Sequence, residues 1–132
     1  MDLIRTLLVD DSPEFLEAAG RFLASDPDIE VVGSALSGKE AIEQVALLNP
    51  DLILMDLAMP GINGLETTRR IKEETKAPRV IILTLHDNPE YRAASESVNA
   101  DGFIAKSDFG AKLIPLIHQI FEKDGITSKV TA

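Results

Sequence analysis

Side chains that do chemistry stand directly behind short apolar runs in this chain. Asp10 and Asp11 follow Leu7-Leu8-Val9, Asp56 follows residues 52–55, Thr84 follows residues 80–83, and Lys106 follows Phe103-Ile104-Ala105. If those runs are strands of one open parallel sheet, these groups gather on a single sheet edge, where such sheets bind ligands. Three carboxylates placed together repel: at 4 Å and an effective dielectric constant of 20, each pair costs on the order of 4 kcal/mol. One lysine cannot neutralise three anions. Either one carboxylate stays protonated or a divalent cation sits among them. Oxygen donors without His or Cys select a hard ion, and a site that keeps water and receives phosphate oxygens suits Mg²⁺. A carboxylate beside Mg²⁺, with a lysine and a hydroxyl to meet phosphoryl oxygens, is equipped for phosphoryl transfer. Aspartate can itself be the nucleophile, forming an aspartyl-phosphate.

The elements that must position these groups can be read from the pattern between them. A fifth apolar run occupies residues 29–32, and helical spacing fills the gaps between runs. Ser12 followed by Pro13 is an N-cap with proline at the first helical position, after which Phe15, Leu16, Ala19, Phe22 and Leu23 fall on one face. Ser37-Gly38-Lys39-Glu40 is a capping box, Ile42, Val45, Ala46 and Leu48 make the expected buried stripe, and Asn49-Pro50 ends that helix. A third, more polar helix is expected over about 65–74, and a fourth from Asn88-Pro89 to about Val98. A fifth, over about 110–122, contains Pro115, which is tolerated near a first turn and otherwise kinks a helix. The alternation is βα repeated five times. The first, third and fourth runs are continuously apolar, as in strands covered on both faces, so the expected fold is a doubly wound parallel α/β sheet in one domain. Residues 125–132 lose the apolar period and read as a tail or the start of a linker beyond a domain over 1–124.

Composition narrows the partners. The 132 residues are 45% hydrophobic, with only 8 Gly and 7 Pro, which excludes a disordered or collagen-like chain. With 22 acidic and 13 basic side chains the formal charge is −9, which argues against a nucleic-acid or anionic-membrane surface on this segment. There is no cysteine, hence no disulfide or thiolate metal site. No run approaches the ~20 apolar residues that span a bilayer, and the N-terminus lacks signal-peptide character, so a cytoplasmic location is the expectation.

Taken singly these features are weak; in order at successive strand ends they are specific. Leu7-Leu8-Val9-Asp10-Asp11, then Asp56 with Met59-Pro60-Gly61 and Asn63-Gly64, then Thr84, then Phe103-Ile104-Ala105-Lys106 resemble the receiver domain of bacterial two-component response regulators. The resemblance covers nearly the whole chain. Residues 83–91 look most like receivers joined to helix-turn-helix (LuxR/NarL-type) transcription domains. It implies a flavodoxin-like (βα)5 fold with strand order 2-1-3-4-5. It also implies roles: Asp56 as the phosphoacceptor, served by a sensor histidine kinase or a small donor such as acetyl phosphate. Mg²⁺ is then held by Asp11, Asp56 and the Ala58 carbonyl, with Asp10 acting mostly through water, and Lys106 pairs with a phosphoryl oxygen. Thr84 turns to bond another, and Phe103 swings into the space it leaves, remodelling the face of the fourth helix, fifth strand and fifth helix. That face would engage an output domain, a protein partner or a second copy of the chain. Such a chain is not an enzyme beyond its own phosphorylation and dephosphorylation.

The sequence departs from the family pattern in places. Phe103 replaces the commoner tyrosine and has no hydroxyl, and Ser107 stands where many receivers have proline, so no proline holds a cis peptide there. Leu85 is bulkier than the small residue often found after the switch threonine, and Ala58 and His86 occupy the positions that tune phosphoryl lifetime. His86 otherwise reads as a loop histidine and His118 as a solvated helix flank. Two rival readings differ in class. A Mg²⁺-dependent phosphohydrolase lacks its second acid, since position 58 is Ala; a phosphate-independent receiver used for dimerisation sits badly with the complete set Asp10, Asp11, Asp56, Thr84 and Lys106.

Overall fold

A computed structural model of the chain describes residues 2–123, so the tail expected at 125–132 lies outside the described residues. The elements are β1 (Ile4–Val9), α1 (Pro13–Leu23), β2 (Ile29–Ala35), α2 (Gly38–Leu48), β3 (Leu52–Asp56), α3 (Gly64–Lys72), β4 (Arg79–Thr84), α4 (Pro89–Ser97), β5 (Gly102–Ala105) and α5 (Phe109–Lys123), with a 3-10 turn at Lys106–Asp108. All strand pairs are parallel and the order is β2-β1-β3-β4-β5. The doubly wound α/β expectation and its strand order hold. Strand order reverses between β1 and β3, so the carboxyl ends of those two strands flank the crevice.

The expected caps are in place. The side chains of Ser12, Ser37 and Asn88 accept the N–H groups of Phe15, Glu40 and Tyr91, and Asn49 ends α2 in the left-handed region at φ 49°. Glu40 reaches back to the Leu36 N–H at 2.9 Å, one residue before the cap. α2 corrects the expected stripe: Ala41 is buried beside half-buried Ile42, Val45 and Leu48, and Ala46 is exposed. α5 begins at Phe109, one residue before expectation. Pro115 therefore lies in its second turn, yet the helix runs unbroken. Pro115 and Ala111, whose carbonyl loses its helical donor, are both exposed to water. Among the described residues every peptide bond is trans, Lys106–Ser107 included.

The core lies on both sides of the sheet. Leu8, Leu54, Leu83 and Ile104 pack with Ala19, Leu23, Leu113, Ile117 and Phe121 of α1 and α5; Leu7, Val9, Ile53, Met55 and Ile82 pack with Ala41 and Ile71 of α2 and α3. α4 differs, because its one buried residue is Ser95. At the sheet's opposite edge Asp101 ties α3, β4 and β5 together. Its carboxylate accepts the Val80 N–H at 2.8 Å, the Lys72 Nζ at 2.7 Å and the Arg79 Nη1 at 3.0 Å. Removing it orphans the Val80 N–H and takes the counter-charge from a lysine whose side chain is only 12% exposed, which keeps only the Pro78 carbonyl as acceptor. Asp101→Ala is expected to cost about 2–3 kcal/mol in urea unfolding, well above the typical exposed pair.

Candidate functional site

Each strand end delivers its side chain to one crevice. Asp10 directly follows β1, Asp56 is the last residue of β3, Thr84 the last of β4, and Lys106 begins the turn after β5. Asp10, Asp56 and Thr84 are buried, while Asp11 is exposed at the mouth. Carboxylate oxygens of Asp10, Asp11 and Asp56 lie within 4.8 Å of one another. Lys106 Nζ donates to Asp10 Oδ2 at 2.6 Å and stands 3.3 Å from Asp56 Oδ1. Asp10 Oδ1 also accepts the Ser12 N–H at 2.9 Å, so its carboxylate is oriented from both ends.

Electrostatics follow from this packing. Burial and then the negative charge of Asp10 push the Asp56 carboxyl from 3.8 up to about 6, against the opposing pull of Lys106. Burial works against the Lys106 charge, but the hydrogen bond to Asp10 and the charges of Asp56 and Asp10 outweigh it and raise its pKa. The lone lysine leaves the cluster net negative. Three clustered carboxylates with oxygen donors alone fit a hard divalent cation such as Mg²⁺. Asp10, Asp11 and Asp56 would hold it. Ala58 lines the adjoining cleft of about 480 Å³ together with Asp11, Leu57 and Met59.

Thr84 lies at the site, with its hydroxyl engaged elsewhere. Its Oγ1 accepts the His86 N–H and donates to the His86 carbonyl, both at 3.1 Å. His86 is exposed, as expected of a loop histidine. Phe103 is half-buried beside the α2–α3 core rather than fully internal.

Three neighbours of the site carry no short-range sequence signal. The Phe15 ring centroid lies 4.3 Å from Lys106 Nζ, so a residue read as apolar core also supports the cation. Phe109 braces that ring edge-on at 5.5 Å. Arg92 lies over the Phe103 ring at 4.8 Å. Away from the site, His118 is no solvated flank: its Nε2 meets Asp26 Oδ2 at 2.8 Å, latching α5 to the turn before β2.

Comparison with known proteins gives a consistent result. A family model described as the response regulator receiver domain matches residues 6–128. The nitrate/nitrite response regulator protein NarL of Escherichia coli K12 is 36% identical over 113 residues, 86% of this chain and 52% of that protein. A protein-glutamate methylesterase/protein-glutamine glutaminase of Methanospirillum hungatei is 45% identical over 98 residues, 74% of this chain and 28% of that protein. The chain thus spans about half the length of NarL, and less of the methylesterase. Among solved structures, a LuxR-family two-component response regulator from Aurantimonas superposes with a TM-score of 0.87 at 28% identity, covering 99% of this chain and all of that one.

Proposed function

The chain belongs to the response regulator receiver domain family, and from that premise we propose that it is a phosphoacceptor switch whose nucleophile is Asp56. One observation carries the reading: a buried carboxylate at the sheet's switch point, flanked by two further acids and 3.3 Å from a lysine ammonium. In the proposed reaction an Asp56 carboxylate oxygen attacks the phosphorus of a phosphohistidine on a sensor histidine kinase, or of acetyl phosphate. The new O–P bond forms as the P–N or P–O bond of the donor breaks. The leaving group departs with that electron pair, as acetate or as an imidazolate that takes a proton from water to become neutral imidazole. Mg²⁺ bound by Asp10, Asp11, Asp56 and the Ala58 carbonyl would offset charge on the phosphoryl oxygens.

The chain's own residues do the rest. Lys106, already between Asp10 and Asp56, meets one phosphoryl oxygen with its ammonium. Thr84 turns its hydroxyl from His86 to another, and Phe103 follows into the vacated space. The face of α4, β5 and α5 changes shape and with it the partner engaged, an output domain, another protein or a second copy of this chain. Regulation of transcription from the cytoplasm is the output we favour, supported by similarity to NarL and to the LuxR-family structure. The domain itself, over 1–124, contributes no nucleic-acid surface at a net charge of −9 for the whole chain.

Incubation with acetyl phosphate and Mg²⁺ should add one phosphoryl group by intact mass, and none after chelation of the metal. Asp56→Asn and Asp56→Ala should gain nothing. Undiminished labelling of either variant would sink the assignment.

A further inference from the structure

Phe103 has no hydroxyl, so its ring must be positioned by what lies against it. The residue over it is Arg92, whose guanidinium carbon is 4.8 Å from the ring centroid. Arg92 is in turn gripped at two points by Asp87, Nε to Oδ1 and Nη2 to Oδ2, both at 2.8 Å. Asp87 adjoins His86, whose N–H and carbonyl are both bonded by the Thr84 hydroxyl. A continuous set of contacts therefore runs from the strand end of β4 through its loop to the ring on β5.

α4 buries little of its own surface. Its one buried side chain is Ser95, whose Oγ finds no hydrogen-bond partner. A cleft of about 200 Å³ beside the contact of the helix with β5 is lined by Arg92, Ser95, Ala100 and Phe103. An element so lightly packed can shift without losing much buried surface, so the fork and the ring contact carry a large share of its registry.

We propose that Arg92 is a positioning residue that clamps Phe103 while Thr84 is bonded to the loop, and that Asp87 transmits the departure of Thr84 to this clamp. The proposal rests on Asp56 being the phosphoacceptor. When Thr84 leaves His86, the loop is freed, Asp87 carries the guanidinium away, and the ring is released to move. A contact made in only one of two arrangements biases the equilibrium by its own strength. A cation over an aromatic ring at an exposed site is worth about 2- to 5-fold in such an equilibrium.

The test uses beryllofluoride with Mg²⁺ as the phosphoryl mimic, on protein labelled with 4-fluorophenylalanine, with Phe103→Leu assigning the resonance. Arg92→Ala should tighten beryllofluoride binding about 2- to 5-fold and move the Phe103 ¹⁹F resonance of the free protein toward its bound position. Arg92→Lys, which keeps a cation but loses the fork, should fall between; Asp87→Asn combined with Arg92→Ala should add nothing to Arg92→Ala alone. Unchanged affinity with an unmoved resonance overturns the clamp, as does weaker binding, which would place the contact in the switched arrangement. Asp56-dependent binding by the wild type separates these results from failure of the phosphoacceptor reading, in which the wild type itself would not bind and the coupling would fall too.

Discussion

Asp56→Asn is expected to make the metal-free protein more stable at pH 7, by up to about 3 kcal/mol. The sign follows from proton linkage. In the unfolded chain this carboxyl titrates near its ordinary value of 3.8, whereas in the folded chain burial and the neighbouring Asp10 charge raise it to about 6. Between those values the folded state holds a proton that the unfolded state has lost, so stability falls as pH rises through that interval. At about 1.36 kcal/mol per unit, the full loss is about 3 kcal/mol and is complete above pH 6. Its side chain is only 8% exposed, so solvent screens little of this. Asparagine is neutral at every pH and escapes the loss. Urea melts of both proteins at pH 4 and pH 7, without divalent metal, check the claim: the curves should lie close at pH 4 and separate at pH 7. An equal gap at both pH values would refute it. Added Mg²⁺ should narrow the gap at pH 7, because a cation among Asp10, Asp11 and Asp56 relieves the repulsion the substitution removes.

The crowding of like charges also explains why so much of the candidate site was legible. Carboxylates are not placed at the ends of apolar strands for packing, so Asp10, Asp11 and Asp56 stood out against their lead-ins. The same holds for Lys106. The strands were legible because both sheet faces are covered, which makes Leu52–Asp56 apolar at four of its five positions. Caps were legible because Ser12, Ser37 and Asn88 act within three residues of themselves. Contacts across long separations were not. Phe15 has an ordinary place in the apolar face of α1, and nothing local says that Lys106 arrives above it. His118 meets Asp26 across 92 residues. Nothing local marks Arg92 as the residue that meets the Phe103 ring of β5. The direction of the Thr84 hydroxyl was illegible for a different reason: residue type does not say that it turns to the His86 backbone rather than into the crevice. Ala46 shows the limit of periodicity itself, since a small residue at the margin of the stripe can face either way at little cost.

Gly64→Ala is expected to lower stability by about 3 kcal/mol or more and to abolish phosphoryl uptake. Gly64 opens α3, where alanine is ordinarily the better residue by about 0.5–1 kcal/mol. Here the sign reverses. A Cβ at this position would overlap the Asp56 carbonyl oxygen and press on the Asp56 carbonyl carbon at 3.0 Å and the Leu57 Cα at 3.1 Å. These are backbone atoms, which no rotamer change can clear. The close approach is itself built into the loop, since the Gly64 N–H donates to the Leu57 carbonyl at 2.9 Å and Asn63 caps the helix through the Glu66 N–H. To fit a methyl group, the start of α3 and the end of β3 must part, and Asp56 moves relative to Asp10 and Lys106. Loss of labelling should therefore persist at low temperature, where the variant is still folded by circular dichroism. Gly20→Ala is the control, because a Cβ there meets nothing within 4 Å in the middle of α1. It should raise the melting temperature slightly and label normally. If Gly64→Ala matched wild type in both stability and labelling, the β3–α3 junction could not be what fixes the Asp56 carboxylate in place.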